Sequence, residues 1–212
     1  MNIKEFKIGT MPTNNFLVWK DKEAILFDCG GENLSELESF IEKNNLTLKK
    51  VIFTHGHHDH IGGLLKLKEI YPDVVVYIGK EEEEFLINPN LSLSNYLVNT
   101  DFKYKDSYKT LKDGDIIDGF LVIDTPGHTR GGKCFFHKEF GIVIVGDTMF
   151  KGSYGRYDLP TSDGGALFAS LKKLCTLLPS ETKVYNGHTE MTTIGEEKNN
   201  LIKNRIIIEE ER

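Results

Sequence analysis

"VIFTHGHHDH", residues 51–60, is the stretch on which the fold and the chemistry of this chain turn. Three apolar residues, the mark of a short buried strand, run straight into a loop that holds four of the chain's seven histidines and an aspartate. In an extended segment residues two apart share a side, so His55 and His57 point together. Asp59 and His60 stand where a helix begins, at Ile61–Gly62, and turn the other way. One short loop can therefore face two metal ions. Neutral imidazole and carboxylate are the donors expected for zinc, iron or manganese. A lone histidine is usually polar surface or a satisfied core group. That plain reading is kept for His137 in "FFHKEF", a turn between strands, and gives His58 an exposed or supporting place. The rival for the cluster as a whole is a loop that charges at low pH, a switch.

Outward from this loop, apolar runs alternate with helix-like segments. "FLVW" (16–19) and "AILF" (24–27) read as strands joined by "KDKE". "NLSELESFIEKNN" has apolar residues at helical spacing, with Asn33 as cap. "GGLLKLKEIY" (62–71) is a helix stopped by Pro72. "VVVYI" (74–78) is a strand and 80–87 a short helix, on which "EEEE" (81–84) reads as a solvated face. Residues 88–113 have weak periodicity, and a loop of that length is often functional. They are expected to form a wall or lid, with Tyr96, Phe102, Tyr104 and Tyr108 as candidate contacts. Strands return at 120–124, 133–137 and 141–146. A Gly-rich loop spans 147–165, a helix 166–178, a strand 183–187, and "GEEKNNLIKNRIIIEEE" closes the chain as a helix. The alternation implies layered α/β architecture.

Five of these runs lead into a residue suited to a metal site: Asp28, His55, His128, Asp147 and His188. Loops beyond the carboxyl ends of strands are where α/β proteins build their sites.

Composition narrows the classes. The 212 residues suit one domain, 1–212, and 39% hydrophobic content is too apolar for a disordered chain. A formal net charge of -6 with mixed signs gives no basic footprint for nucleic acid. No stretch approaches the ~20 apolar residues of a membrane span. The N-terminus lacks a signal-like apolar block, so a cytoplasmic protein is expected. Cys29, Cys134 and Cys175 are too few and too far apart for a disulfide framework or a Cys-rich zinc site, and Cys134 and Cys175 read as core.

"THGHHDHIGG", "DTPGHTRGG", "GDTMF" and "GHTEMTTIGEEK", in this order over nearly the whole chain, resemble the signature blocks of the metallo-β-lactamase superfamily. "GDTMFKGSYGRYDLP" narrows the resemblance to its glyoxalase II-like, or hydroxyacylglutathione hydrolase-like, branch. The resemblance implies a four-layered αβ/βα sandwich with its site at one edge. It implies two divalent metal ions, zinc first, with iron or manganese as alternatives. His55, His57 and His128 would hold one; Asp59, His60 and His188 the other; Asp147 would bridge them. Asp28 would orient a ligand histidine.

The implied activity is hydrolysis of an acyl thioester such as S-lactoylglutathione. Asp59 and Asp147 would be the catalytic carboxylates, holding the attacking hydroxide. Arg156 is a candidate anion contact and Tyr154 a weaker one. Arg130, Lys151 and Tyr157 are further candidates. Twenty-four residues follow His188, fewer than the helical region with which full-length members bind glutathione, so the likeness is to the shorter members. The substrate is a small molecule, and oligomeric state is not readable. The main alternative is a mononuclear iron dioxygenase of persulfides, using His55, His128 and Asp147. A β-lactamase in the strict sense is disfavoured by the missing export signal and by Asp147. A non-catalytic metal-sequestering or sensing module is the remaining class.

Overall fold

The structure, a computed structural model, describes residues 1–9 and 11–207. These form two compact units, Met1–Leu111 and Lys112–Arg212.

The first unit carries a six-stranded sheet. β1 (Asn2–Ile8), β2 (Thr13–Lys20) and β3 (Glu23–Phe27) run as an antiparallel meander. α1 (Ser35–Lys43) then crosses back to β4 (Thr47–Ile52), which lies parallel to β3. Two helices, α2 (His58–Ile61) and α3 (Leu64–Ile70), lead to β5 (Val75–Gly79), parallel to β4. A 3₁₀ turn (Lys80–Leu86) and α4 (Ser94–Leu97) precede the parallel edge strand β6 (Lys109–Leu111). α1 buries Leu37 and Ile41 against Phe6, Leu26 and Val51 of one core. Burying a leucine or isoleucine side chain stabilises by about 1.5–3 kcal/mol. Asn33 accepts hydrogen bonds from the backbone N–H and hydroxyl of Ser35, but Leu34 occupies the cap position.

The second unit has a six-stranded sheet in the order β14-β13-β10-β9-β8-β7. β7 (Ile116–Ile117), β8 (Phe120–Asp124), β9 (Lys133–His137) and β10 (Ile142–Gly146) are antiparallel neighbours. The small ribbon β11 (Met149–Phe150) and β12 (Ser153–Tyr154) follows. α5 (Gly164–Leu177) crosses over to β13 (Lys183–Asn186), parallel to β10, and β14 (Thr192–Thr193) and α6 (Ile194–Lys203) close the unit. Asp163 caps α5 through the Ala166 N–H, and Thr193 caps α6 through the Glu196 N–H. Leu167, Leu171 and Leu174 of α5 pack with Val143, Val145 and Val184. Residues 208–211 of the expected closing helix lie outside the described residues.

Three expectations change. The short helix expected at 80–87 is a 3₁₀ helix over 80–86, but its acidic run is not wholly solvated, because Glu82 is fully buried. The 88–113 segment is a wall rather than an open lid: Val98, Asp101 and Phe102 line a cavity of the first unit, Phe102 and Tyr104 belong to its core, and the Tyr104 N–H donates to the Leu86 carbonyl. His137 is the buried last residue of β9, packed edge-on against Phe120 and Phe140.

Candidate metal centre

β4 ends at Ile52, and the loop beyond it carries the histidine cluster. Two contacts fix that loop. The Gly56 N–H donates to Glu82 Oε2 at 2.8 Å, and the His58 N–H donates to the Ser92 carbonyl at 2.7 Å. Gly56 passes so close to Phe85 that a Cβ would stand 2.3 Å from the Phe85 Cβ, which only glycine allows. His55 and His60 bring their ring centroids to 4.1 Å, and His55 and His57 to 4.9 Å. All three rings are buried. Asp59 and His58 are half-buried. Burial holds the His58 imidazole below its usual range, against the opposing pull of Asp59 and Glu32.

Asp28, just past β3, organises this half. Its Oδ1 accepts from the Thr54 N–H at 2.8 Å, while Oδ2 accepts from the Thr54 hydroxyl at 2.9 Å and from His60 Nδ1–H at 2.8 Å. With its own proton given to Asp28, the Thr54 hydroxyl accepts from His55 Nδ1–H at 3.1 Å. One buried carboxylate thus sets the tautomers of two neutral imidazoles and leaves the lone pair of each on Nε2. Cys29 is buried next to it. Burial, with the Asp28 charge adding, pushes that thiol up.

The second unit supplies His128, Asp147 and His188, each on a loop just past β8, β10 or β13. His128 Nδ1–H donates to the Arg156 carbonyl at 2.8 Å, again leaving Nε2 with the lone pair. That Nε2 faces Asp147 Oδ2 at 3.6 Å, and His188 Nε2 stands 3.2 Å from the same oxygen. Asn186 builds the His188 loop: its Oδ1 accepts from the His188 N–H, the Thr189 N–H and the Thr189 hydroxyl. Gly155 lies against the Asp147 carbonyl, where a Cβ would come within 1.9 Å.

The donor chemistry fits cations. His128 Nε2 faces the Asp147 carboxylate, and His60 Nε2 faces Asp59 Oδ2 at 3.8 Å. In the neutral rings these are lone pairs pointed at negative oxygens, an arrangement that a cation between them turns from repulsive to attractive. Three groups of potential donors form: His55, His57 and His128; His55, His60 and Asp147; Asp59, His60 and His188. Within each the donor atoms all lie within 4.8 Å of one another. All seven metal-ligand candidates of the sequence therefore fall in these groups.

The candidate substrate contacts are placed less simply. The Arg156 guanidinium is exposed and grips Asp158 through two hydrogen bonds of 2.9 Å. Tyr154 stacks on Tyr157 and meets Phe168 edge-on. Arg130 is exposed, and Lys151 pairs with Glu190. Glu82 is the residue the sequence did not single out.

Residues 8–188 match the metallo-beta-lactamase superfamily. The chain belongs to that superfamily. Its α/β class and metallo-β-lactamase fold are those expected from the motifs. Over 205 residues it is 34% identical to the hydroxyacylglutathione hydrolase GloC of Haemophilus influenzae, covering 93% of this chain and 95% of the relative. A solved structure of TTHA1623 in a di-iron-bound form is 33% identical with a TM-score of 0.85, over 93% of this chain and 98% of that one. The BLEG-1 B3 metallo-beta-lactamase structure is 31% identical, also with a TM-score of 0.85, over 93% and 97%. At the level these likenesses reach, this member of the superfamily is a metal-dependent hydrolase with a His/Asp cluster for its metals. No helix among the described residues is long and apolar enough to cross a membrane.

Proposed function

We propose that the chain is a dinuclear-metal thioester hydrolase acting on a small S-acyl thiol, of which S-lactoylglutathione is the first candidate. The observation that carries this reading is the single Asp147 oxygen flanked by His128 Nε2 and His188 Nε2. A carboxylate so placed suits a bridge between two ions, one with His55, His57 and His128, the other with Asp59, His60 and His188. Two divalent ions, zinc first and iron or manganese as alternatives, would lower the pKa of water from 15.7 to about 7 and supply a hydroxide at neutral pH.

The protein's own groups do the rest. Asp28 holds His60 directly and His55 through Thr54, so the ligand rings need not reorient. Asp147 and Asp59 offer carboxylate oxygens to hold and aim the nucleophile. With the metals bound, the hydroxide oxygen would bond to the acyl carbon as the C–S bond breaks, and the thiolate would leave to take a proton from water. The thiolate is a good leaving group, which is why this bond suits the site. Arg156 would meet a carboxylate of the thiol arm by trading Asp158 for it, with Tyr154 beside it. The neighbouring hydroxyacylglutathione hydrolase supports the reaction class. A cytoplasmic setting goes with it, and neither nucleic acid nor membrane is a partner.

The test is hydrolysis of a thioester panel by metal-loaded protein, with elemental analysis. A β-lactam and a glutathione persulfide with oxygen uptake run in parallel. Thioester turnover with two metals per chain is expected. Turnover of the lactam alone, or oxygen uptake with one iron per chain, would replace this reading by a lactamase or a persulfide dioxygenase.

A further inference from the structure

Beside Asp59 the first unit opens a cavity of about 680 Å³ that the ligand set does not account for. Its volume lies in the range of sites for drug-sized ligands, well beyond what a lactoyl group fills. Met11, Leu65 and Val98 stand on its rim and are 47%, 42% and 37% exposed. Leu97 joins them, and Phe102 closes the cavity from the core side. Large apolar side chains left in water around one concavity mark a binding surface rather than scattered exposure.

Charge says which end of a thioester belongs there. Glu32, Asp59 and Asp101 line the cavity against Lys7 alone among the lysines and arginines. Asp101 is tied to Lys103 at 2.6 Å. With Asp59 assigned to the metals and Asp101 to Lys103, Glu32 is left against Lys7, so the cavity has no surplus positive charge to receive a thiol arm that carries carboxylates or phosphates. That leaves the apolar rim to an uncharged chain.

Resting on the thioester reading above, we infer that this cavity is the acyl pocket: it takes an uncharged aliphatic acyl arm longer than lactoyl and sets the chain-length specificity of the enzyme. The reacting carbonyl stands at the Asp59 end, and the acyl chain runs out between Met11 and Val98.

The experiment uses S-acyl-N-acetylcysteamines, whose thiol is neutral, with straight acyl chains from acetyl to octanoyl. Wild type is compared with Val98→Trp and Met11→Trp. Both positions are on the exposed rim, so the added ring fills the cavity without entering the core, and melting curves check that each variant folds. In wild type kcat/KM is expected to rise about fourfold per methylene until the cavity is full. Both variants should lose that dependence. A flat profile in wild type, or an octanoyl preference unchanged in both variants, overturns the pocket and leaves thioester hydrolysis standing. A second readout does not need turnover: calorimetric binding of the ketone analogue in which a methylene separates the octanoyl carbonyl from sulfur. If no thioester is hydrolysed, binding that is lost in both variants still assigns the cavity to an aliphatic arm. Absence of binding to wild type sinks it.

Discussion

Asp28 is the residue on which the histidine geometry depends, and its backbone makes it a clean test. Its φ is +61°, a region asparagine tolerates well. Asp28→Asn therefore keeps shape and backbone while removing the charge and one acceptor oxygen. Metal affinity, read by chelator competition, is expected to fall about 10–100-fold. An unchanged affinity would mean that His55 and His60 hold their tautomers without it. Glu82 is the complementary case. It is fully buried and accepts from the Gly56 N–H between two ligand histidines. A buried carboxylate is unfavourable by itself and favourable near a bound cation. In Glu82→Gln the amide oxygen can still receive the Gly56 N–H but the charge is gone. Metal affinity, read by chelator competition, is expected to drop at least threefold; an unchanged affinity would leave Glu82 a purely structural anchor of the Gly56 N–H. Sequence alone pointed to Asp28 as a strand-end carboxylate but hid Glu82 inside four consecutive glutamates. The signal that could have found it is Phe85: a 3₁₀ turn has three residues per turn, so Glu82 and Phe85 share its inner face.

At the scale of elements, what the sequence displays best is strands buried on both faces. β2, β3 and β10 read directly because their apolar runs are dense. β1 was missed because only Phe6 and Ile8 of its seven residues are buried, too sparse an alternation to stand out on an edge strand. The two-residue strands β7, β11, β12 and β14 are shorter than any periodicity can register. In the segment 88–113 Phe102, Tyr104 and Tyr108 pack by tertiary contact, with no regular spacing to announce burial, while Tyr96 is exposed. The start of the second unit offers a pH test of how one turn is held to a helix. Asp113 Oδ1 accepts from the Asp124 N–H at 2.7 Å and from Lys173 Nζ of α5 at 3.1 Å. The backbone hydrogen bond first, and Lys173 after it, hold this carboxyl below the ordinary range. A carboxylate with a depressed folded value stabilises the fold above its unfolded pKa of ~3.9, and that contribution disappears as pH falls through the folded value. Asp113→Asn should thus lower stability at pH 7, by under about 1 kcal/mol because the group is largely solvated and screened. Urea denaturation should show the gap closing as pH falls past the unfolded value and through the lower folded one. A gap that widens in acid would reverse the assignment.

For the molecule as a whole, the sequence displayed a repeated device, apolar strand then ligand, at residues as far apart as 55 and 188, but not which ligand joins which. That information is tertiary: it appears only once His128 and His188 are seen on one carboxylate oxygen. The same fact gives a thermodynamic prediction. Ligands scattered this widely are gathered only in the folded chain, so metal binds the native state and hardly the unfolded one. Free metal at one hundred times its dissociation constant should then add about 2.7 kcal/mol to stability, and at one thousand times about 4.1. Scanning calorimetry of stripped protein titrated with zinc should show the melting temperature climbing with metal concentration and not levelling off after saturation. In His128→Ala a ligand is lost, along with the hydrogen bond to the Arg156 carbonyl, and the climb above the variant's own metal-free melting point should be much shallower. A wild-type melting temperature indifferent to metal would show that the groups around Asp147 are held by the protein alone, and the dinuclear reading would fall with it.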